Sequence, residues 1–209
     1  FVMDEFRAVH QDMRPLQVLI LNNMPVKQDT ELQLLRALSN TPLQVEVEFL
    51  QTASYQPKHV AANHLDTFYT VFDEIKDRKF DGMIITGAPL DYTAFEDVSY
   101  WDEICKIMEW SKTHVHCTLH MCWGVYAGLH YHYGINKIDL PEKLSGIYKH
   151  YVLKKNSPLF RGFDDVFMAP QSRAMTVARE DIEKIPELEL LAYSDEAGVT
   201  MLKTRESRQ

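Results

Sequence analysis

Between His114 and Gly134 the chain reads "HVHCTLHMCWGVYAGLHYHYG", which packs five histidines and two cysteines into one stretch. Such residues can ligate a metal, exchange a disulfide, act as a nucleophile or fill a core. Parity tests the metal reading. "HVHCTLHM" has the composition of a strand, and alternate strand residues point to opposite faces. Cys117 therefore faces away from His116 and His120, and no second Cys/His pair stands at ligand spacing. Structural zinc is disfavoured on that ground. The chain has no C-x-x-C of the thioredoxin-like redox kind. His130 and His132 are two residues apart, cannot share a helical face, and read as ordinary partly buried histidines. Tyr126, Tyr131 and Tyr133 read as packing.

Cys122 is different because of its place. It falls where the strand ends and "WGVYAGLHYHYG" begins a helix closed by Gly134. A side chain on a sharp strand-to-helix turn is pushed out of the sheet. The helix N-terminus beside it offers free backbone N–H groups and a positive partial charge. A thiol there is predicted to have a depressed pKa and to be nucleophilic. The N–H of Trp123 is expected to help hold a developing oxyanion. Gly124, Ala127 and Gly128 keep the first helical turns small. The arrangement is a cysteine relative of the serine nucleophile elbow. A free cysteine is also a good small buried hydrophobe, and on placement alone the two readings stand about level.

The elements that must position Cys122 follow from periodicity. "LQVLILNNMP" reads as a buried strand stopped by Pro25. "DTELQLLRALSN" reads as a helix with a Thr30/Gln33 capping box and with Leu34, Leu35 and Leu38 on one face. "LQVEVEFL" alternates as a half-exposed strand. A polar loop with Pro57 runs from Gln51 to Asn63, and Leu65, Phe68, Tyr69, Phe72 and Ile75 predict an amphipathic helix. "FDGMIITGAP" is a buried strand. "YWDEICKIMEWSKTH" is a helix with Trp101, Ile104, Ile107 and Met108 inward. Shorter strands are expected at "SGIYKHYVL", "DVFMAP", "LELLAYS" and "VTMLKT", with a short helix near "REDIEKIP". The β-α alternation of the first two-thirds implies an α/β fold, a parallel sheet flanked by helices on both faces. Ligands of such sheets sit at the carboxyl ends of the strands, here "NNMP", "TGAP" and "HMCWG".

Composition sets the outer bounds. The 209 residues are 45% hydrophobic and 25% charged, as expected of a single domain spanning residues 1–209. A formal net charge of −8 argues against nucleic acid or an anionic membrane as partner. Three cysteines without secreted-scaffold spacing suggest a reducing, cytoplasmic setting. No apolar run is long enough to span a bilayer, and "FVMDEFRAVH" lacks the order of a signal peptide. The first residue is Phe1, so the N-terminal start is expected to be missing.

The residues also resemble a known family. "RPLQVLILNNMP", "ELQLLRALSNTPLQVEVEFL", "FDGMIITGAPL", "YWDEICKIMEWSKTHVHCTLHMCWG", "YGINK", "EKLSGIYKH", "RGFDDVFMAPQSR" and "LELLAYSDEAGV" run in the order found in the homoserine O-acyltransferases, the homoserine O-succinyltransferases and their acetyl-transferring relatives of methionine biosynthesis. The resemblance implies a class I glutamine amidotransferase-like (flavodoxin-like) fold, a cytoplasmic enzyme, and acyl-CoA and an amino acid as small-molecule partners. No bound cofactor is implied, since acetyl-CoA is a co-substrate, and a homodimer is implied. It makes Cys122 the acyl-thioester nucleophile and places Lys143 and Ser172 in the substrate site. The residue after "TGAPL" helps choose the acyl group, glycine going with succinyl and glutamate with acetyl. Here it is Asp91. A carboxylate there would repel the free carboxylate of a succinyl group, by about 1–3 kcal/mol for an unpaired like charge, so acetyl is expected. Without the resemblance Asp91 reads as a turn residue after Pro89.

Three departures bear on the acceptor. The family's "APHSR" is "APQSR" with Gln171, its Gln four residues after the nucleophile is Tyr126, and "LNLMP" is "LNNMP" with Asn23. A bulkier Tyr126 is expected to narrow the acceptor pocket. One methylene in a pocket is worth about 1–3 kcal/mol, so L-serine and L-homoserine both remain candidates. The family's base and its helper lie in a "GHPE" motif, expected C-terminal to Gln209. Neither His120 nor His150 matches it. A protein of residues 1–209 alone is therefore expected to be inactive, since thiol and hydroxyl both need a base within reach. The competing classes are a glutaminase-type amidotransferase, a succinyl-CoA enzyme, and a non-catalytic paralogue acting as a binding module.

Overall fold

The structure is a computed structural model, described here for residues 13–54, 65 and 67–205. The chain divides into two compact units, residues 1–89 with 94–124, and residues 90–93 with 125–209.

The first unit is built on five parallel strands: β1 (Leu16–Leu21), β2 (Val45–Gln51), β3 (Tyr69–Val71), β4 (Phe80–Ile85) and β5 (Val115–His120). Their order is β3-β2-β1-β4-β5. The chain builds outward from β1 on one side, returns, and continues through β4 on the other. The carboxyl ends of β1 and β4 therefore flank the point where the winding reverses, the place where open α/β sheets leave a crevice. Apolar runs or alternation made β1, β2, β4 and β5 predictable, though not β3, and the middle of the sheet is dry: Leu19, Ile20, Leu21, Ile85 and Leu50 are fully buried. Ile20, Phe49, Tyr69 and Ile84 form one core cluster, on which Leu34 and Leu38 of helix α1 (Lys27–Leu38) pack.

Two local expectations are corrected. Helix α1 begins at Lys27 behind Val26, which makes no side-chain cap, so Thr30 lies inside the helix and not at a capping box. Thr30 Oγ1 instead bonds back to the Val26 carbonyl. The helix expected from Leu65 to Ile75 is broken by β3, and only α2 (Phe72–Ile75) follows it. The apolar residues of "FYTVF" serve either period. Pairing of Phe49, Leu50 and Gln51 with Tyr69, Thr70 and Val71 decides for the strand, because it buries Tyr69. Most of the loop expected from Gln51 to Asn63, with Pro57, lies outside the described residues. Helix α3 (Trp101–His114) buries Ile104, Ile107 and Met108 as its periodicity requires.

The second unit holds most of helix α4 (Trp123–Tyr133), which starts at the end of the first unit, and an antiparallel sheet in the order β7-β6-β8-β9. Its strands are β6 (Ile138–Val152), β7 (Val166–Thr176), β8 (Leu188–Ser194) and β9 (Gly198–Thr204), with α5 (Arg179–Glu183) before β8. Strand β6 is much longer than "SGIYKHYVL". It carries a register shift between Asp139 and Leu144 that accommodates Pro141, a residue with no N–H for the ladder. Val152, Phe160, Leu191 and Ala192 form this unit's core cluster.

Candidate active site

Cys122 is the second of the two residues between β5 and α4, and its backbone is left-handed, φ 52°. A side chain rarely adopts that conformation, and such strain clusters at functional sites. The fold enforces it through neighbours. Met121 N–H donates to the Ile85 carbonyl at 2.9 Å, continuing the pairing with β4 one residue past β5. Gly124 N–H then donates to the Met121 carbonyl at 2.9 Å, closing a tight turn around the cysteine. The thiol is exposed.

Two glycines make room for this turn. A Cβ on Gly87 would stand 2.9 Å from Cys122 Cβ and 3.2 Å from its Sγ. One on Gly124 would stand 2.8 Å from the Ile85 carbonyl oxygen and 2.9 Å from that of Thr86. Gly87 thus lets β4 end directly against the cysteine, and Gly124 lets the helix start against the same strand. The sequence reading credited Gly124 with close packing but gave no role to Gly87.

Trp123 opens α4, so its backbone N–H has no intrahelical acceptor. Its ring is buried against Phe95 and Trp101, with centroids 6.0 and 6.4 Å away. The indole Nε1 has no acceptor among the described residues. His120 Nδ1 lies 3.1 Å from the Gly124 carbonyl. A carbonyl only accepts, so that nitrogen carries the proton, and burial pulls the imidazole down to about 4. His120 is therefore a neutral fastener of the turn at ordinary pH.

Other residues implied by the resemblance lie in the second unit. Lys143 is on β6 and Ser172 on β7, where Ser172 pairs with Ser145, two residues beyond Lys143. Strand alternation puts both on one face, whose members Lys143, Ser145, Ile147, Lys149, Tyr151, Val166, Met168, Pro170 and Ser172 are all exposed. The opposite face carries His150 and Gln171. His150 is completely buried, stacked on Phe167, and its Nδ1 is 2.9 Å from the Tyr148 carbonyl. That fixes Nε2 as the acceptor of the Gln171 amide at 3.2 Å. Tyr126 is buried, donating to the Met175 carbonyl at 3.0 Å and accepting from Arg173 at 3.2 Å. Its hydroxyl fastens α4 to β7. Asp91 is exposed in the turn Leu90–Thr93, where Tyr92 has φ 64°.

Sequence reasoning missed the polar network behind the first strand end. Lys27, only 4% exposed, donates to the Asn22 carbonyl and sits 4.9 Å from the centre of the Tyr69 ring. Burial pulls it down to about 8, against the opposing pull of Glu31. Tyr69 Oη donates to Glu31 at 2.6 Å. A lysine after "MPV" reads as an exposed first-turn residue, and no local pattern reveals its burial. Among the described residues no group of three His, Cys, Asp or Glu side chains could hold a metal ion, and no helix is long and apolar enough to cross a membrane.

A family model described as homoserine O-succinyltransferase matches residues 1–209. The chain belongs to that family. Curated relatives agree. It is 58% identical over its whole length to the homoserine O-acetyltransferase of Agathobacter rectalis, covering 67% of that protein. It is 59% identical to that of Lachnospira eligens, over 95% of this chain and 64% of the relative. It is 57% identical over its whole length to that of Geobacillus kaustophilus, covering 69% of it. The chain thus spans about two-thirds of the length of these relatives. Family and relatives alike are O-acyltransferases.

Solved structures show the fold. A glutamine amidotransferase from Thermotoga maritima superposes with a TM-score of 0.63 at 12% identity, over 92% of this chain and 73% of that one. The glutaminase domain of Trypanosoma brucei CTPS, with bound acivicin, superposes with 0.60 at 13%, over 93% and 83%. The amidotransferase-like α/β fold expected of the homoserine O-succinyltransferase family is the fold observed.

Proposed function

We propose that this chain supplies the nucleophile of an amino-acid O-acetyltransferase that moves an acetyl group from acetyl-CoA to the side-chain hydroxyl of L-homoserine. The observation that carries the reading is the exposed Cys122 thiol at φ 52° between β5 and α4, in a chain 58% identical to a homoserine O-acetyltransferase.

The chemistry runs in two balanced halves. The Cys122 sulfur attacks the thioester carbonyl, a carbon–sulfur bond forms, and the carbonyl electrons move onto oxygen. The Trp123 N–H at the start of α4 is the donor for that oxygen. Collapse expels the coenzyme A sulfur, which leaves with the thiol proton. The acceptor hydroxyl then attacks the acyl-cysteine, its proton passes to the cysteine sulfur, and the ester departs. Splitting the transfer this way replaces one difficult step by two easier ones. Lys143 and Ser172 are assigned to substrate binding. Asp91 is assigned to acyl choice, its carboxylate opposing a second carboxylate on the acyl group and so favouring acetyl over succinyl. The relatives' names favour homoserine over serine as acceptor.

The test uses the full-length protein. Mixed with acetyl-CoA and no amino acid, it is expected to carry an acetyl group on Cys122 by peptide mass spectrometry, and to release it to L-homoserine. An adduct elsewhere, or none, removes the assignment. Faster labelling by succinyl-CoA overturns the acyl choice alone, and faster turnover with L-serine overturns the acceptor alone.

A further inference from the structure

The chain is acidic overall, with a formal net charge of −8, but the outer face of the β6–β7 ribbon runs against that balance. Over residues 143–151 and 166–172 the exposed alternate residues include two lysines and no carboxylate. Among the described residues neither Lys143 nor Lys149 makes an ion pair. Other lysines of this unit do, Lys154 and Lys203 with Glu189 and Lys137 with Asp139. An unpaired lysine standing over apolar surface is placed to meet an anion from outside.

The order along the face fits one kind of anion. The register sets Ser145 beside Ser172, Ile147 beside Pro170, Lys149 beside Met168 and Tyr151 beside Val166. The face thus passes from a polar end next to Lys143, across Ile147 and Pro170, to Lys149 and then to an exposed phenol ring. Ile147 and Met168 are more than half exposed, and apolar patches rimmed by polar groups mark binding sites. At about 3.4 Å per residue, about 14 Å of strand separates Ser145 from Lys149. Coenzyme A matches this order: a thioester end, a largely apolar arm that reaches about 16 Å when extended, a pyrophosphate and an adenine base. Lysine meets phosphate as a point charge, and an aromatic ring gives a base a surface to stack on. A second copy of the chain fits less well. A two-fold contact of this face with itself would bring lysines together with no carboxylate between them.

We propose that the outer face of β6 and β7 holds the coenzyme A part of the acyl donor, with its arm along Ile147 and Pro170, its pyrophosphate on Lys149 and its adenine on Tyr151. The assignment rests on the acyl-CoA reading given above. It adds a site for the part of the donor that takes no part in bond making, with Lys143 and Ser172 at the thioester end.

The test uses the full-length protein, its Lys149→Glu, Lys149→Arg and Ile147→Asp variants, and two donors. One is acetyl-CoA, and the other is S-acetylpantetheine, which keeps the arm but lacks the nucleotide. The kcat/KM of each donor is read at low ionic strength, with sedimentation as a check on assembly. Lys149→Glu is expected to lower the ratio of kcat/KM for acetyl-CoA over that for S-acetylpantetheine by about tenfold. Lys149→Arg, which keeps the charge, is expected to hold the parent ratio. Ile147→Asp is expected to slow both donors severalfold. A merely structural lesion at Lys149 would slow both donors alike and leave the ratio where it was. A Lys149→Glu ratio within about twofold of the parent overturns the assignment. So does an Ile147→Asp variant as fast as the parent with both donors. So does one that dissociates a parent dimer with unaltered donor kinetics, which makes the face a subunit contact. A parent that forms no Cys122 adduct with either donor overturns the acyl-CoA reading and this assignment with it. A parent adduct with an unaltered Lys149→Glu ratio overturns this assignment alone.

Discussion

Cys122 and Lys143 are both exposed, but the backbones beneath them differ in kind. The cysteine stands on a left-handed residue with Gly87 and Gly124 wedged against it, pinned by two backbone hydrogen bonds and by the His120 imidazole. Neither glycine can gain a Cβ without displacing a backbone carbonyl or the nucleophile. Lys143 and Ser172 stand on a two-stranded ribbon whose face is open, with Ile147 70% and Met168 59% exposed. There the backbone supports the side chain without confining it. The difference teaches what each region can tolerate. Changes at the turn should disturb geometry and function together, whereas changes on the ribbon face should leave the fold alone and report only on substrate.

The largest effect tests the turn itself. Cys122→Ser keeps the shape and removes the sulfur nucleophile, so acetyl transfer is expected to fall by about a thousandfold or more. The thermal midpoint should hardly move, because the side chain is exposed. An active serine variant would mean that the turn holds something other than the nucleophile. Gly124→Ala comes next. Its methyl group meets two strand carbonyls at under 3 Å, and overpacking of that kind costs about 1–3 kcal/mol. Because the collision displaces the start of α4, acetylation of Cys122 is expected to slow by about a hundredfold as well. A variant as stable and as fast as the parent would show that the turn is not confined.

Much of this contrast was legible in the sequence. Apolar strand runs, Pro25 and Pro89, and the strand-then-helix reading around Cys122 located the turn, because each signal is local. What escaped depends on partners distant in sequence. Tyr69–Val71 became a strand only because β2 lies beside it. Lys27 is buried by Asn22 and Tyr69, and Gly87 matters only because β5 ends next to β4. The capping box at Thr30 failed for the opposite reason. The local pattern was present, but α1 had already begun at Lys27. Family resemblance supplied Lys143, Ser172 and Asp91, which no spacing would have singled out.

The ribbon yields smaller effects. Lys143→Ala and Ser172→Ala remove exposed side chains, and each is expected to change stability by no more than about 0.5 kcal/mol. If they bind substrate, KM for one of the two substrates rises severalfold while iodoacetamide alkylation of Cys122 keeps its rate. Variants with unaltered KM and kcat would remove both residues from the substrate site.

The smallest effect at neutral pH belongs to His120, and it returns to the turn from the side of stability. Burial lowers this imidazole from 6.5 to about 4, so the folded protein holds it neutral where the unfolded chain would protonate it. Between those values the unfolded state binds more protons, and stability therefore falls as pH falls. The contribution is fully present above pH 6.5, is lost progressively on the way down to about 4, and changes no further below that. His120→Gln keeps a donor for the Gly124 carbonyl but does not titrate. It should match the parent at pH 7 within about 0.5 kcal/mol and lose less stability between pH 6.5 and 4 in urea unfolding. The Arg14-paired Asp81, held down to about 2, titrates below that window and leaves the comparison clear. Parallel curves for the two proteins would mean that the imidazole is not enclosed, and that the turn is looser than its hydrogen bonds imply.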